Sequence, residues 1–155
     1  MAQIRDLMVS GTITVLPTDS VQEAVRRMAA NRVGAVLVVE KGVLRGLLSE
    51  RDVMTRVIGV KRDPQSTTAA EVATREVVSV DLNAALRDVL ATFREKRFRH
   101  LPVTDKGKPV GILSTRDFLS FLVDGLERYV DERKYATGIA EGTDPYDHLG
   151  GAYGK

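Results

Sequence analysis

The chain has 155 residues, 43% of them hydrophobic and 28% charged, with a formal net charge of +2 and no cysteine. That length suits one ordinary domain, or two small halves sharing a core. Lysines and arginines are spread along the chain, which argues against a nucleic-acid partner. No apolar run approaches the roughly 18 residues of a membrane span, and MAQIRDLMVSG lacks the apolar stretch of a secretory signal. The absence of cysteine excludes a disulfide framework, a thiolate metal site and a cysteine nucleophile. A cytoplasmic protein with no membrane partner is the expectation.

In chain order, residues 12–16 form a short β-branched run that predicts a strand. A helix should follow, with Val21, Ala24, Val25 and Met28 on one face. Thr18 is its expected N-cap. Strands are expected at 35–39 and 43–49, joined by Lys41-Gly42, a turn in which glycine allows positive φ. A helix from Glu50 to about Ile58 closes the unit. Residues 59–68, with Lys61, Arg62, Asp63 and Pro64, read as a polar linker.

The same series then repeats. A strand is expected at 77–81, followed by a helix with Leu86, Val89, Leu90 and Phe93 on its apolar face and Asn83 as N-cap. Strands at 100–104 and 109–114 are joined by Lys106-Gly107, and a long helix runs from Thr115 to roughly Tyr135. Residues 4–52 align with 69–117 without a gap at an offset of 65. Ten positions are identical, eight of them in the last fifteen, including Gly46/Gly111, Ser49/Ser114, Arg51/Arg116 and Asp52/Asp117. Arg32/Arg97 is another. Internal repetition of this kind is a signature of duplicated architecture. Each copy of about 50 residues is too small for comfortable stability alone, so the two should share a core. Residues 136–155 hold five glycines and no helical stripe. They read as a flexible tail, with Tyr146, His148 and Tyr153 as candidate contacts.

The duplicated strings Gly46-Leu-Leu-Ser49-Glu-Arg51-Asp52 and Gly111-Ile-Leu-Ser114-Thr-Arg116-Asp117 carry the chemistry. Each places a serine at the end of a strand and an aspartate three residues into the next helix. Ser-x-x-Asp is close to a capping box, in which the two side chains satisfy helix-start amides reciprocally. Arg51 and Arg116 do not fit that purpose, because a cation at the second helical position opposes the helix dipole. A bound phosphate would account for them, since guanidinium groups and helix starts both favour it. The aspartate, an acceptor when ionised, would suit paired ribose hydroxyls. A nucleotide site and simple helix capping therefore both remain open. No HExxH, GxSxG, Walker A or GxGxxG string is present, and an enzyme reading has little support.

A helix-flanked repeat ending in Gly-h-h-Ser/Thr-x-x-Asp (h apolar), present twice, resembles the CBS domain family, whose tandem pair is called a Bateman module. The resemblance covers roughly residues 4–122. It implies an α/β (α+β) fold of two β-α-β-β-α repeats, 4–58 and 69–135, packed as a pseudo-two-fold pair. It implies regulatory binding of an adenine nucleotide (AMP, ADP, ATP or NAD), with no catalytic cofactor. Asp52 and Asp117 would hold ribose hydroxyls, and Ser49 and Ser114, with Arg51 and Arg116, would lie near ribose or phosphate. Adenine would rest on Thr12, Ile13 and Thr14 or on Val77, Val78 and Ser79. Arg99 and His100, in the string that runs on to Pro102, resemble a basic pair that contacts phosphate. The first copy has Gly34 and Ala35 there, so the two sites should differ. A homodimer and an unidentified regulated protein are the expected partners. A ligand-free dimerisation or scaffold module is the alternative.

Overall fold

The computed structural model describes residues 4–141. Residues 4–117 form one compact unit, and the described residues from Phe118 onward form a second. The order of elements is β1 (Val9–Ser10), β2 (Thr14–Val15), α1 (Val21–Asn31), β3 (Ala35–Glu40), β4 (Val43–Ser49), α2 (Glu50–Arg56), α3 (Ala69–Val72), β5 (Val80–Asp81), α4 (Leu86–Lys96), β6 (His100–Asp105), β7 (Lys108–Ser114) and α5 (Thr115–Glu141). Short 3-10 turns lie at Ile4–Asp6 and Ile58–Val60. The fold is a mixed α/β one.

The 65-residue offset holds in three dimensions. It carries α1 onto α4, β3 onto β6 and β4 onto β7 without a shift. Both hairpins turn through two residues at positive φ, Lys41 (50°) and Gly42 (78°), then Lys106 (48°) and Gly107 (80°). That is the turn whose twist matches paired strands. In one sheet β2 runs parallel to β3, and β3 antiparallel to β4. The other has the order β1-β7-β6-β5.

The opening segment of each repeat packs on the hairpin of the other. Val9 and Ser10 pair with Ile112 and Gly111 of β7. Thr74 bridges Leu47 of β4, with reciprocal backbone bonds of 2.9 and 3.0 Å. Thr74 and Leu47 stand 65 residues from Val9 and Ile112, so the exchange is itself symmetric. Gly46 permits the approach: a Cβ there would come within 3.1 Å of the Ala73 side chain and the Thr74 carbonyl. Ala69, Val72 and Ala73 consequently join Val15, Val21, Val36, Val38 and Leu48 in one buried cluster. The first repeat does not complete its core without the opening segment of the second.

The linker, too, has a structural task. Thr67 and Pro64 carbonyls accept from the Val21 and Gln22 amides at 2.9 and 3.0 Å, and the Ser20 hydroxyl accepts from the Glu23 amide at 3.2 Å. Three of the orphan donors at the start of α1 are thereby satisfied. Glu23 binds Arg26 and Arg27, which hold its carboxyl down to about 2. Arg27 also donates to the Thr14 carbonyl, tying α1 to β2.

Several sequence expectations need correction. Ser20, not Thr18, caps α1, and Ala85 stands at the start of α4 with no side-chain cap, so Asn83 caps nothing. Asn83 folds back instead on the Asp81 carboxylate. Paired strand covers Thr14–Val15 and Val80–Asp81, shorter than 12–16 and 77–81, because each segment is crossing between sheets before it pairs. Helix α5 continues through Ala136 to Glu141, beyond the expected end near Tyr135. Tyr146, His148 and Tyr153 lie outside the described residues.

Candidate functional site: an inter-repeat cleft

The exchange of opening segments determines where the motif residues meet. The chain leaves β7 at Ser10, passes Gly11 at φ 91°, and reaches β2 at Thr14. Thr12 and Ile13, from the first repeat, are thereby brought beside Ser114, Arg116 and Asp117, from the second. All five line one cleft of about 820 Å³, together with Ser49, Arg51, Arg99 and His100. This is within the upper part of the roughly 300–1,000 Å³ usual for small-molecule sites.

The two strand-to-helix corners are built alike. The Glu50 amide donates to the Gly34 carbonyl at 3.0 Å, and the Thr115 amide donates to the Arg99 carbonyl at 3.0 Å. His100 stands opposite Ser114 in the β6–β7 ladder, as Ala35 stands opposite Ser49 in β3–β4. Arg99 and His100 are therefore fixed against the Ser114 corner by backbone bonds.

The aspartates differ. Asp52 Oδ2 accepts from the Ser49 amide (2.9 Å) and hydroxyl (2.7 Å), while Oδ1 lies 3.4 Å from the Arg56 guanidinium. With the Ser49 hydroxyl accepting from the Asp52 amide, the capping box is complete, and the carboxylate is committed on both oxygens. Asp117 Oδ2 accepts from the Ser114 hydroxyl at 2.6 Å. No hydrogen bond or ion pair is given to Asp117 Oδ1 among the described residues. A carboxylate oxygen without a partner, on a residue that lines a cleft, is an acceptor open to a donor.

His100 is half-buried. Burial first, then the neighbouring Arg99 charge, pushes its pKa below the ordinary 6.5, with Glu50 and Asp117 opposing. Gly34 leaves open the space between these groups: a Cβ there would meet Glu50 Oε2 at 3.4 Å and His100 Cε1 at 3.6 Å.

The cleft thus contains Thr12, Ile13, Ser49, Arg51, Arg99, His100, Ser114, Arg116 and Asp117. Six other candidates do not line it. Thr14 is held in β2 by Leu37 and Arg27, and Asp52 is turned into its cap. Val77, Val78 and Ser79 lie elsewhere, and Pro102 is buried in β6. Sequence reasoning also missed part of the wall: Val25, Met28 and Ala29 of α1, Val53 and Met54 of α2, and Arg32. Arg32 sits at the end of α1 at φ 54°, a conformation usually given to glycine. Its identity with Arg97, also at φ 54°, was the available signal.

A duplicated hairpin-and-helix unit with swapped opening segments and an inter-repeat cleft defines a tandem-repeat module. Two matches to the CBS domain family model, at residues 4–59 and 69–124, show that the chain belongs to that family. It is 38% identical over 117 residues to the CBS domain-containing protein YhcV of Bacillus subtilis, covering 76% of this chain and 83% of that protein. Among solved structures, the CBS domain protein NE2398 is 35% identical with a TM-score of 0.73, over 79% of this chain and 98% of the other. The CBS domain protein PAE2072 of Pyrobaculum aerophilum, solved in complex with AMP, shares the fold at 22% identity and a TM-score of 0.69, over 75% and 89% of the two chains.

Proposed function

We propose that the chain is a regulatory module that binds one adenine nucleotide, of the AMP, ADP, ATP or NAD type, in the inter-repeat cleft. The carrying observation is the convergence there of an apolar wall, a carboxylate with an open oxygen, and unpaired arginines. Ile13, Val25, Met28 and Val53 offer a surface for a purine ring. Asp117 Oδ1 offers an acceptor for ribose hydroxyls, and Arg99, beside Ser114, offers a charge-assisted donor for phosphate. The AMP complex of PAE2072 supports the ligand class. Because the walls come from both repeats, occupancy would shift their packing, and a regulated protein would read that shift. The chain then acts without a catalytic cofactor, in the cytoplasm. No helix among the described residues is long and apolar enough to cross a membrane.

A second copy of the chain is the proposed structural partner. Leu119, Leu122, Val123, Leu126 and Val130 form a stripe along α5 and are all exposed, Leu126 by 63%. An apolar stripe at helical spacing is normally covered, and a closed symmetric pair is the usual means. A mass near that of one chain in light scattering would contradict this.

The scaffold reading has one observation in its favour, the completed capping box at Ser49 and Asp52. It also accounts for part of the second corner, where the Ser114 hydroxyl accepts from the Asp117 amide at 3.1 Å, but it leaves Asp117 Oδ1 and the neighbouring arginines without a role. Thermal denaturation against AMP, ADP, ATP and NAD separates the two. Saturation at about 100 times Kd should raise the midpoint by on the order of 5–10 °C. No shift with any of the four at millimolar concentration would favour the scaffold.

A further inference from the structure

Of the arginines in the described chain, Arg26, Arg27, Arg45, Arg56, Arg62 and Arg87 each have a carboxylate within 4.0 Å. Ten others among the described residues have none; Arg5, Arg75, Arg94, Arg97, Arg128 and Arg133 stand outside the cleft, while Arg32, Arg51, Arg99 and Arg116 all line it. Two stand on the first repeat and two on the second. The acidic side chains lining the same cleft are Glu50 and Asp117, so four arginines less two carboxylates leave an excess of two positive charges with His100 neutral. Arg32 stands there at φ 54°, in the left-handed region that favours glycine, as its repeat partner Arg97 does outside the cleft.

Building on the nucleotide reading, we propose that the cleft is made for a polyphosphate chain, so that it selects a nucleoside triphosphate over the monophosphate. A terminal phosphate presents three acceptor oxygens. Arg99 and Arg116, beside the ribose acceptor Asp117, can hold that phosphate from one repeat, since guanidinium groups bind phosphate in bidentate fashion. Arg32 and Arg51, on the other repeat, remain for further phosphates. A longer phosphate chain carries further oxygens and charge across to them. The cleft has the volume for it, and the ligand would tie the two repeats together through its phosphates alone.

Calorimetric titration of the full chain in magnesium-free buffer, with ATP, AMP and inorganic tripolyphosphate, tests this. ATP should bind at least about tenfold more tightly than AMP, and tripolyphosphate should bind measurably. Substituting Arg32→Gly with Arg51→Ala, the glycine chosen to suit positive φ, should weaken ATP more than AMP and bring their ratio within about twofold. Arg97→Gly makes the same backbone change outside the cleft and should leave the ratio as it was. Raising the salt concentration should narrow the wild-type ratio through screening. Equal affinity for AMP and ATP, or a ratio that survives the double substitution, would overturn the polyphosphate assignment while leaving the nucleotide reading intact. Tripolyphosphate binding with neither nucleotide bound would overturn the nucleotide reading and keep the anion site. Failure of all three ligands would overturn both.

Discussion

The two strand-to-helix corners share serine, arginine and aspartate at identical spacing, yet only the second leaves an aspartate oxygen without a partner among the described residues. The cause lies four residues past each aspartate. Arg56 reaches back to Asp52 and also donates to the Val72 carbonyl at 2.7 Å. The position equivalent to Arg56 holds Phe121, which has no charge to offer Asp117. The other difference stands ahead of the helix, where Arg99 and His100 replace Gly34 and Ala35. One corner has become a clamp for α2 and α3, and its twin has been left open. A duplicated motif is therefore a record of origin: both copies cap a helix, and their surroundings decide whether an aspartate oxygen stays open.

The sharpest way to break this comparison is to change two arginines that are neighbours in sequence and differ in place. Arg99→Ala should weaken nucleotide binding by roughly ten- to a hundredfold, the value of one charge-assisted contact of about 1.5–3 kcal/mol. Arg97→Ala, two residues away at the end of α4 and outside the cleft, should leave affinity unchanged in the same titration. A reversed pattern would place the phosphate elsewhere.

Stability should show the opposite asymmetry. Asp52→Ala removes a complete capping box and the carboxylate partner of Arg56, so chemical denaturation should register a loss of about 0.5–2 kcal/mol with nucleotide affinity retained. Ser20→Ala should cost a similar amount through α1, whereas Thr18→Ala and Asn83→Ala should be nearly neutral. A larger loss at Thr18 than at Ser20 would contradict the capping assignment.

The smallest effect expected is that of pH. His100 is held below its ordinary 6.5 by burial and by Arg99, so the unfolded chain binds the proton more readily. Its contribution to stability is present above pH 6.5 and is lost as pH falls through that value toward the lower folded pKa. His100→Gln should flatten this part of the profile. A bound phosphate adds negative charge beside the ring and favours the imidazolium, so affinity should rise as pH falls from about 7.5 to 6. Affinity that drops over the same range would remove His100 from the phosphate site.

Much of this was legible in the chain. Gapless repetition located the hairpins, the Lys-Gly turns and α1 and α4, because hydrophobic period and turn chemistry are local properties. Ser49, Ser114 and both aspartates were found by their spacing. What could not be read was the exchange of opening segments, which depends on pairings more than a hundred residues apart, such as Val9 with Ile112. Which aspartate Thr12 stands beside is therefore decided by that exchange. The apolar wall of the cleft was hidden because Val25 and Met28 lie on the stripe that also feeds the core. The Asp52–Arg56 pair was an ordinary i, i+4 spacing, and comparison with Phe121 was the clue to its consequence.

The central claim is a single nucleotide site per chain, built on Asp117. Isothermal titration of ATP into the wild-type, Asp52→Ala and Asp117→Ala chains tests it most directly. One nucleotide per chain is predicted for the wild type and for Asp52→Ala, with binding lost or weakened at least about tenfold in Asp117→Ala. Two nucleotides per wild-type chain, or tight binding that survives Asp117→Ala and disappears in Asp52→Ala, would contradict it.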